Sequence, residues 1–269
     1  MSQVLYAGST SVREAFHAEW TKLHTLAGTA WLLAGTIAAT VAVSAATDSA
    51  VTCSTTGCNQ DPTKLSLTGI DLGQAVIAIL AVTAISGEYS TGMIRTTFTA
   101  MPRRLVVLAA KAVILTGVTL VAGTIAVLGS LLAGRLILPG KGFTPLHGYP
   151  PLSLTDGPTL RAAAGSVLYL ALIVLLSLGV ATIVRESAIA VGTVLGLLYL
   201  FPVIVRAVTD PHWKRLLQQI APMNAGLAIQ ATANLRALPI GPWAGLGVLA
   251  AWAAAALLAG GLLLRLRDA

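Results

Sequence analysis

ISGEYSTGMIRTTFTAMPRR, from Ile85 to Arg104, is a polar island in a chain of apolar helix. It holds one glutamate, three arginines, several threonines and a closing Pro-Arg-Arg, and the segments on either side are each apolar enough to enter a bilayer. A polar connection held between two such segments sets the reading of the whole chain: membrane-crossing helices joined by short loops.

Composition agrees. Of 269 residues, 56% are hydrophobic and only 10% charged, with a mean hydropathy of +0.83, so the apolar surface exceeds what one soluble core can bury. A hydrocarbon layer about 30 Å thick needs roughly 20 apolar residues at about 1.5 Å per residue. Six segments qualify: 28–46, 70–86, 112–138 (within an apolar run that begins at Leu105), 162–184, 187–208 and 243–264. The second is short and relies on its flanks, and Lys111 falls early in the run of the third. The expected fold is all-α, a single six-span domain over 1–269 with no separate aqueous domain. The first span is expected to be an uncleaved anchor, because a long polar segment precedes it.

The net charge is +7, but the basic residues are scattered over short loops, which fits anionic lipid headgroups and argues against nucleic acid. With both termini cytoplasmic, nine lysines and arginines fall inside and eight outside, so the positive-inside rule barely discriminates. Cys53 and Cys58 lie in a polar loop after the first span, where an oxidising compartment would let them close a small disulfide. That reading puts the loop outside and the termini in the cytoplasm. Two free thiols are the alternative, and without nearby histidines no metal site is expected.

On the cytoplasmic side, Val12, Ala15, Phe16, Trp20, Leu23 and Ala27 share one stripe of an amphipathic helix over 12–27, expected to lie in the membrane interface. Glu19 falls inside that apolar stripe, and either pairs with an arginine of the next cytoplasmic loop or reaches out to water. His17 and His24 share a face about 10 Å apart, too far to ligate one ion. In the 87–104 loop, Tyr89, Met93, Ile94, Phe98 and Met101 recur at helical spacing with Glu88 and Arg95 at the polar boundary, and Pro102 stops the helix before Arg103 and Arg104. Such a helix can pass a push from a soluble partner into both adjoining spans. Periodicity alone equally fits a helix docked on lipid. Arg185 and Glu186 make a tight hairpin, either neutralising each other or open to a cytoplasmic partner.

On the outer side, Trp213, Leu216, Leu217 and Ile220, followed by Ala221-Pro222 and a mildly apolar stretch to Leu238, suggest short helices that dip into or rest on the outer leaflet. Gly192 and Gly196, four apart, suggest a close helix approach. No ionisable residue falls mid-span, unlike a proton- or sodium-driven carrier. GRLILPGK, Gly134 to Lys141, imitates a phosphate-binding loop but has one residue too many between its glycines and Gly142 where Ser or Thr belongs. Motifs of metalloproteases and serine hydrolases are absent from the sequence. The chain is therefore not expected to be an enzyme by itself.

AEWTKL (Ala18 to Leu23), SGEYSTGMIRTTFTAMPRR (Ser86 to Arg104), WAGLGVLAAW (from Trp243) and the final RLRDA resemble the membrane subunit of a type 2 ABC exporter, of the six-span kind found in high-GC actinobacteria. The resemblance spans essentially the whole chain and is most specific in the 86–104 loop. It implies a coupling helix that docks in a separate ATPase subunit, with Glu88, Tyr89, Gly92, Arg95, Pro102, Arg103 and Arg104 as coupling residues and Glu19, Arg185 and Glu186 as secondary cytoplasmic contacts. Met93 departs from the threonine common in relatives. It further implies a bacterial cell membrane, a second permease subunit (a homodimer in the simplest case, a heterodimer otherwise), and ATP and Mg on the partner with no cofactor on this chain. Transport would proceed by alternating access, and an Ala, Leu, Val and Gly lining suits amphipathic or hydrophobic cargo. The competing expectation is a membrane anchor or sensor that recruits a cytoplasmic protein and moves nothing.

Overall fold

Long runs of Ala, Leu, Val and Ile broken only at Pro, Gly and polar clusters fold as helices in lipid, where every backbone N–H and C=O must find a partner within the segment. A computed structural model describes residues 16, 17, 19–21, 27–53, 58, 60–90 and 104–266. Its helices are α1 (Ala27–Ala50), α2 (Pro62–Ser66), α3 (Ile70–Ser90), α4 (Arg104–Ile137), α5 (Gly157–Val184), α6 (Ser187–Ala207), α7 (Pro211–Ile220), α8 (Pro222–Leu227) and α9 (Pro242–Leu266), and no strand occurs among the described residues. Six of them, α1, α3, α4, α5, α6 and α9, are long and apolar enough to cross a membrane. The protein is an all-helical, multi-pass membrane protein.

The helices outrun several of the expected limits. α1 continues past Ala46 to enclose Asp48, and α3 runs on through the flanking residues Gly87 to Ser90. α4 takes in Lys111 and, at 34 residues, is about 51 Å long. That exceeds the hydrocarbon layer, so the helix tilts or projects beyond it. Local chemistry sets the other ends. Asp61 caps α2 with Pro62 in the first turn, Asp210 does the same for α7 with Pro211, and the Glu186 carboxylate accepts the Ala188 and Ile189 N–H groups at the start of α6.

α5 is the hub, packing against α3, α4, α6 and α9, while α1 lies outside against α3 and α4. Tyr169, Leu170, Ile173, Leu176 and Leu178 of α5 are fully buried. Glycines allow the closest approaches. A Cβ on Gly179 of α5 would lie 2.6 Å from the backbone carbon of Ala256 in α9, and one on Gly245 of α9 would lie 2.0 Å from the Ala225 carbonyl oxygen. Gly192 and Gly196 do not serve this purpose within the chain: neither would meet anything within 4 Å, because they lie on α6 at the edge of the bundle.

The segment before α9 divides in two. α7 is amphipathic and leaves Trp213 and Ile220 exposed. α8 and the turn after it enter the protein instead, burying Met223, Ala225 and Ile229 against α5, α6 and α9. Burial in protein satisfies the irregular backbone that lipid would not tolerate.

α1, α4 and α6 end, and α3, α5 and α9 begin, at one pole of the bundle. Cys53 and Cys58 are joined there by a disulfide with Cα atoms 5.8 Å apart, and Cys53 packs with Leu138 and Phe143. The Cys53 N–H donates to the Lys141 carbonyl at 2.7 Å. Gly142 meets this loop with φ +90°, and any Cβ on it would sit 1.9 Å from the Cys53 carbonyl oxygen, so only glycine fits. Asp61 fastens the same pole by accepting the Thr232 and Ala233 N–H groups and the Thr232 hydroxyl at 2.5, 2.9 and 2.6 Å.

Candidate functional site

The opposite pole gathers the expected cytoplasmic elements. Glu88 and Tyr89 fall in the last turn of α3, and Arg104 opens α4. Gly92, Arg95, Pro102 and Arg103, and with them most of the expected coupling helix, lie outside the described residues, as does most of the expected 12–27 helix. The half-buried Tyr89 ring packs against the core of the bundle. The Arg185 guanidinium carbon stands 5.3 Å from the centre of that ring, a cation–π contact worth about 0.5–2 kcal/mol depending on how far water is excluded. Below it, the Ser187 hydroxyl donates to the Ser86 hydroxyl at 2.8 Å. The end of α3 is thus tied to the α5–α6 connection by two contacts.

Arg185 and Glu186 do different work from the mutual neutralisation their adjacency suggested. Arg185 ends α5 in the left-handed region, with φ 66°, a conformation that costs a non-glycine residue about 1–2 kcal/mol. The turn sends its side chain to Tyr89, while Glu186 spends its carboxylate on the α6 N–H groups at 3.1 and 2.6 Å. Arg185 Nε is buried without a hydrogen-bond partner among the described residues.

Glu19 meets a lysine of the third span, while the loop arginines that the sequence offered it, Arg95 and Arg103, lie outside the described residues. The Glu19 carboxylate lies 2.5 Å from Lys111 Nζ, with both side chains only about 5–6% exposed. Lys111 is seven residues into α4, about 10 Å along its axis. The pair pins the N-terminal segment to α4, the helix that leaves the 91–103 segment.

The bundle interior holds polar groups that the reading of the sequence did not single out. Thr36, Thr40, Ser44 and Asp48 are fully buried at four-residue spacing along α1, forming one stripe in which the first three face Gly69 and Gly73 and Asp48 faces Ser66 and Gly134. Ser44 accepts the Gly69 N–H at 3.1 Å, and Ser66 donates to Asp48 at 3.3 Å. Deeper, Tyr169 of α5 donates to the amide oxygen of the fully buried Gln74, whose Nε2 faces Met223 Sδ at 3.3 Å, and Tyr199 of α6 donates to the Asp71 carbonyl. These bonds join α3, α5, α6 and α8. The four-residue polar repeat in α1 was the available signal, but hydropathy averaged over a span conceals it.

Among the described residues no group of three or more His, Cys, Asp or Glu is gathered that could hold a metal ion. Comparison with models of known protein families and with curated proteins finds no match. With six helices long and apolar enough to span among the described residues, the fold defines the class of multi-pass membrane proteins.

Proposed function

We propose that this chain is the permease subunit of an ATP-driven ABC exporter in a bacterial cell membrane, with both termini cytoplasmic and the Tyr89–Arg185 pole turned to a separate ATPase. The observation that carries the reading is the meeting of Tyr89, from the segment that resembles a coupling helix, with Arg185, from the second connection at the same pole. A push on the 91–103 segment acts on the end of α3 and the start of α4 together. The Arg185–Tyr89 contact and the Ser187–Ser86 bond carry it to α5 and α6, and α5, packed on four spans, spreads it through the bundle. Glu19–Lys111 makes the N-terminal segment move with α4.

The chain supplies no chemistry of its own in this reading. ATP and Mg belong to the partner, and a second permease subunit completes the pathway for an amphipathic or hydrophobic substrate. Affinity purification of the chain with its ATPase tests it: Glu88→Ala and Arg95→Ala should each weaken co-purification and abolish transport while membrane insertion stays normal. Undiminished ATPase binding by both variants would remove the coupling role, and a bound cytoplasmic protein that hydrolyses no ATP would favour the anchor.

A further inference from the structure

At the disulfide pole, a half-open cavity of about 390 Å³ lies between the last turns of α4 and the chain entering α5. One wall is made by Leu128, Leu131, Leu132 and Arg135, at positions i, i+3, i+4 and i+7 of α4, so an apolar row ends in a cation. The other wall presents the hydroxyl residues Ser153, Thr155 and Thr159. Arg135 is exposed and makes no ion pair or hydrogen bond through its side chain among the described residues.

The apolar row does not stop at the cavity. Val121, Ile125, Leu128 and Leu132 are all exposed and, at alternating four- and three-residue steps, form one stripe leading to Arg135. From Val121 to Arg135 the stripe is about 21 Å long, enough to cover one leaflet of about 15 Å and reach the headgroup level. Among the described lining residues there is no carboxylate. Thr159 lies in the first turn of α5, whose exposed N-cap residue Asp156 makes no side-chain capping bond, so its carboxylate offsets the positive end of that helix and Arg135 is left as the source of the site's charge.

We propose that this groove binds one anionic phospholipid of the leaflet at the disulfide pole, its acyl chain along the Val121–Leu132 stripe and its phosphodiester against Arg135 and the three hydroxyl residues. Arg135 supplies the charge, the hydroxyls, of which Ser153 and Thr155 are hydrogen-bonded to each other at 2.7 Å, add donors to those of the guanidinium, and the leucines fix the position. The site needs no ATPase and stands whether or not the chain transports anything.

Native mass spectrometry of the full chain, purified in detergent and titrated with phosphatidylglycerol or phosphatidylcholine, tests it. The first phosphatidylglycerol should bind the wild type preferentially and Arg135→Gln about tenfold more weakly, as expected for loss of a charged hydrogen bond. Arg236→Gln, which removes a cation elsewhere at the same pole, should bind like the wild type, and inorganic phosphate should not displace the lipid. Equal binding by Arg135→Gln, an equal loss in Arg236→Gln, equal affinity for phosphatidylcholine, or displacement by inorganic phosphate would each overturn the proposal.

Discussion

Arg185 occupies a backbone conformation that glycine adopts freely and arginine adopts at a cost, with φ 66° at the end of α5. The contact with Tyr89 offsets part of that cost. Arg185→Ala loses the contact and keeps the strain, whereas Arg185→Gly loses both. In thermal unfolding of the detergent-solubilised protein, the glycine variant should therefore be the more stable of the two, by about 1 kcal/mol; equal stability would show that the turn is unstrained. If Arg185 serves coupling, both variants should lose transport alike. The sequence placed Arg185 and Glu186 together in a hairpin. It could not show that one positive φ would part their side chains, since that angle follows from how α5 and α6 pack.

At the scale of elements, pairing and close approach decide stability. Breaking a buried ion pair by changing one partner costs about 3–5 kcal/mol, while replacing both can be nearly neutral. Glu19→Gln and Lys111→Met should each destabilise the protein, and the double variant should recover much of the loss; additive losses would mean that the two residues act separately. Helix contacts give a second contrast. Gly179→Ala drives a methyl into the α9 backbone and should cost at least about 1–3 kcal/mol. Gly192→Ala, with open space around it, should change stability little, and the same thermal unfolding measurement reads both. Glycine spacing alone pointed to Gly192 and Gly196. The glycines that allow close contact, among them Gly179 and Gly245, are recognisable only once their neighbours are known, because every span in this chain is rich in small residues.

For the whole molecule, the six spans were legible because length and hydropathy in a bilayer leave the backbone little choice. The amphipathic α7 was legible from its periodicity. The descent of α8 into the bundle was not, because its weakly apolar sequence fits a lipid surface as well as a protein interior, and only Tyr169, Gln74 and Leu249 around it decide. Glu19 stood out as a charge on an apolar stripe, but its partner Lys111, 92 residues away, is set by how the N-terminal segment meets α4. The lipid groove depends in the same way on the 152–155 segment folding back beside Arg135.

The central claim is that the Tyr89–Arg185 pole is where a separate ATPase drives this bundle. It is tested most directly by the ATP hydrolysis that co-purifies with the tagged chain from its native membranes, compared between the wild type and Arg95→Glu. The account predicts ATPase activity bound to the wild type and nearly absent from the charge-reversed variant, at equal amounts of inserted permease. No ATP hydrolysis with the wild type, or equal hydrolysis with both, would contradict it.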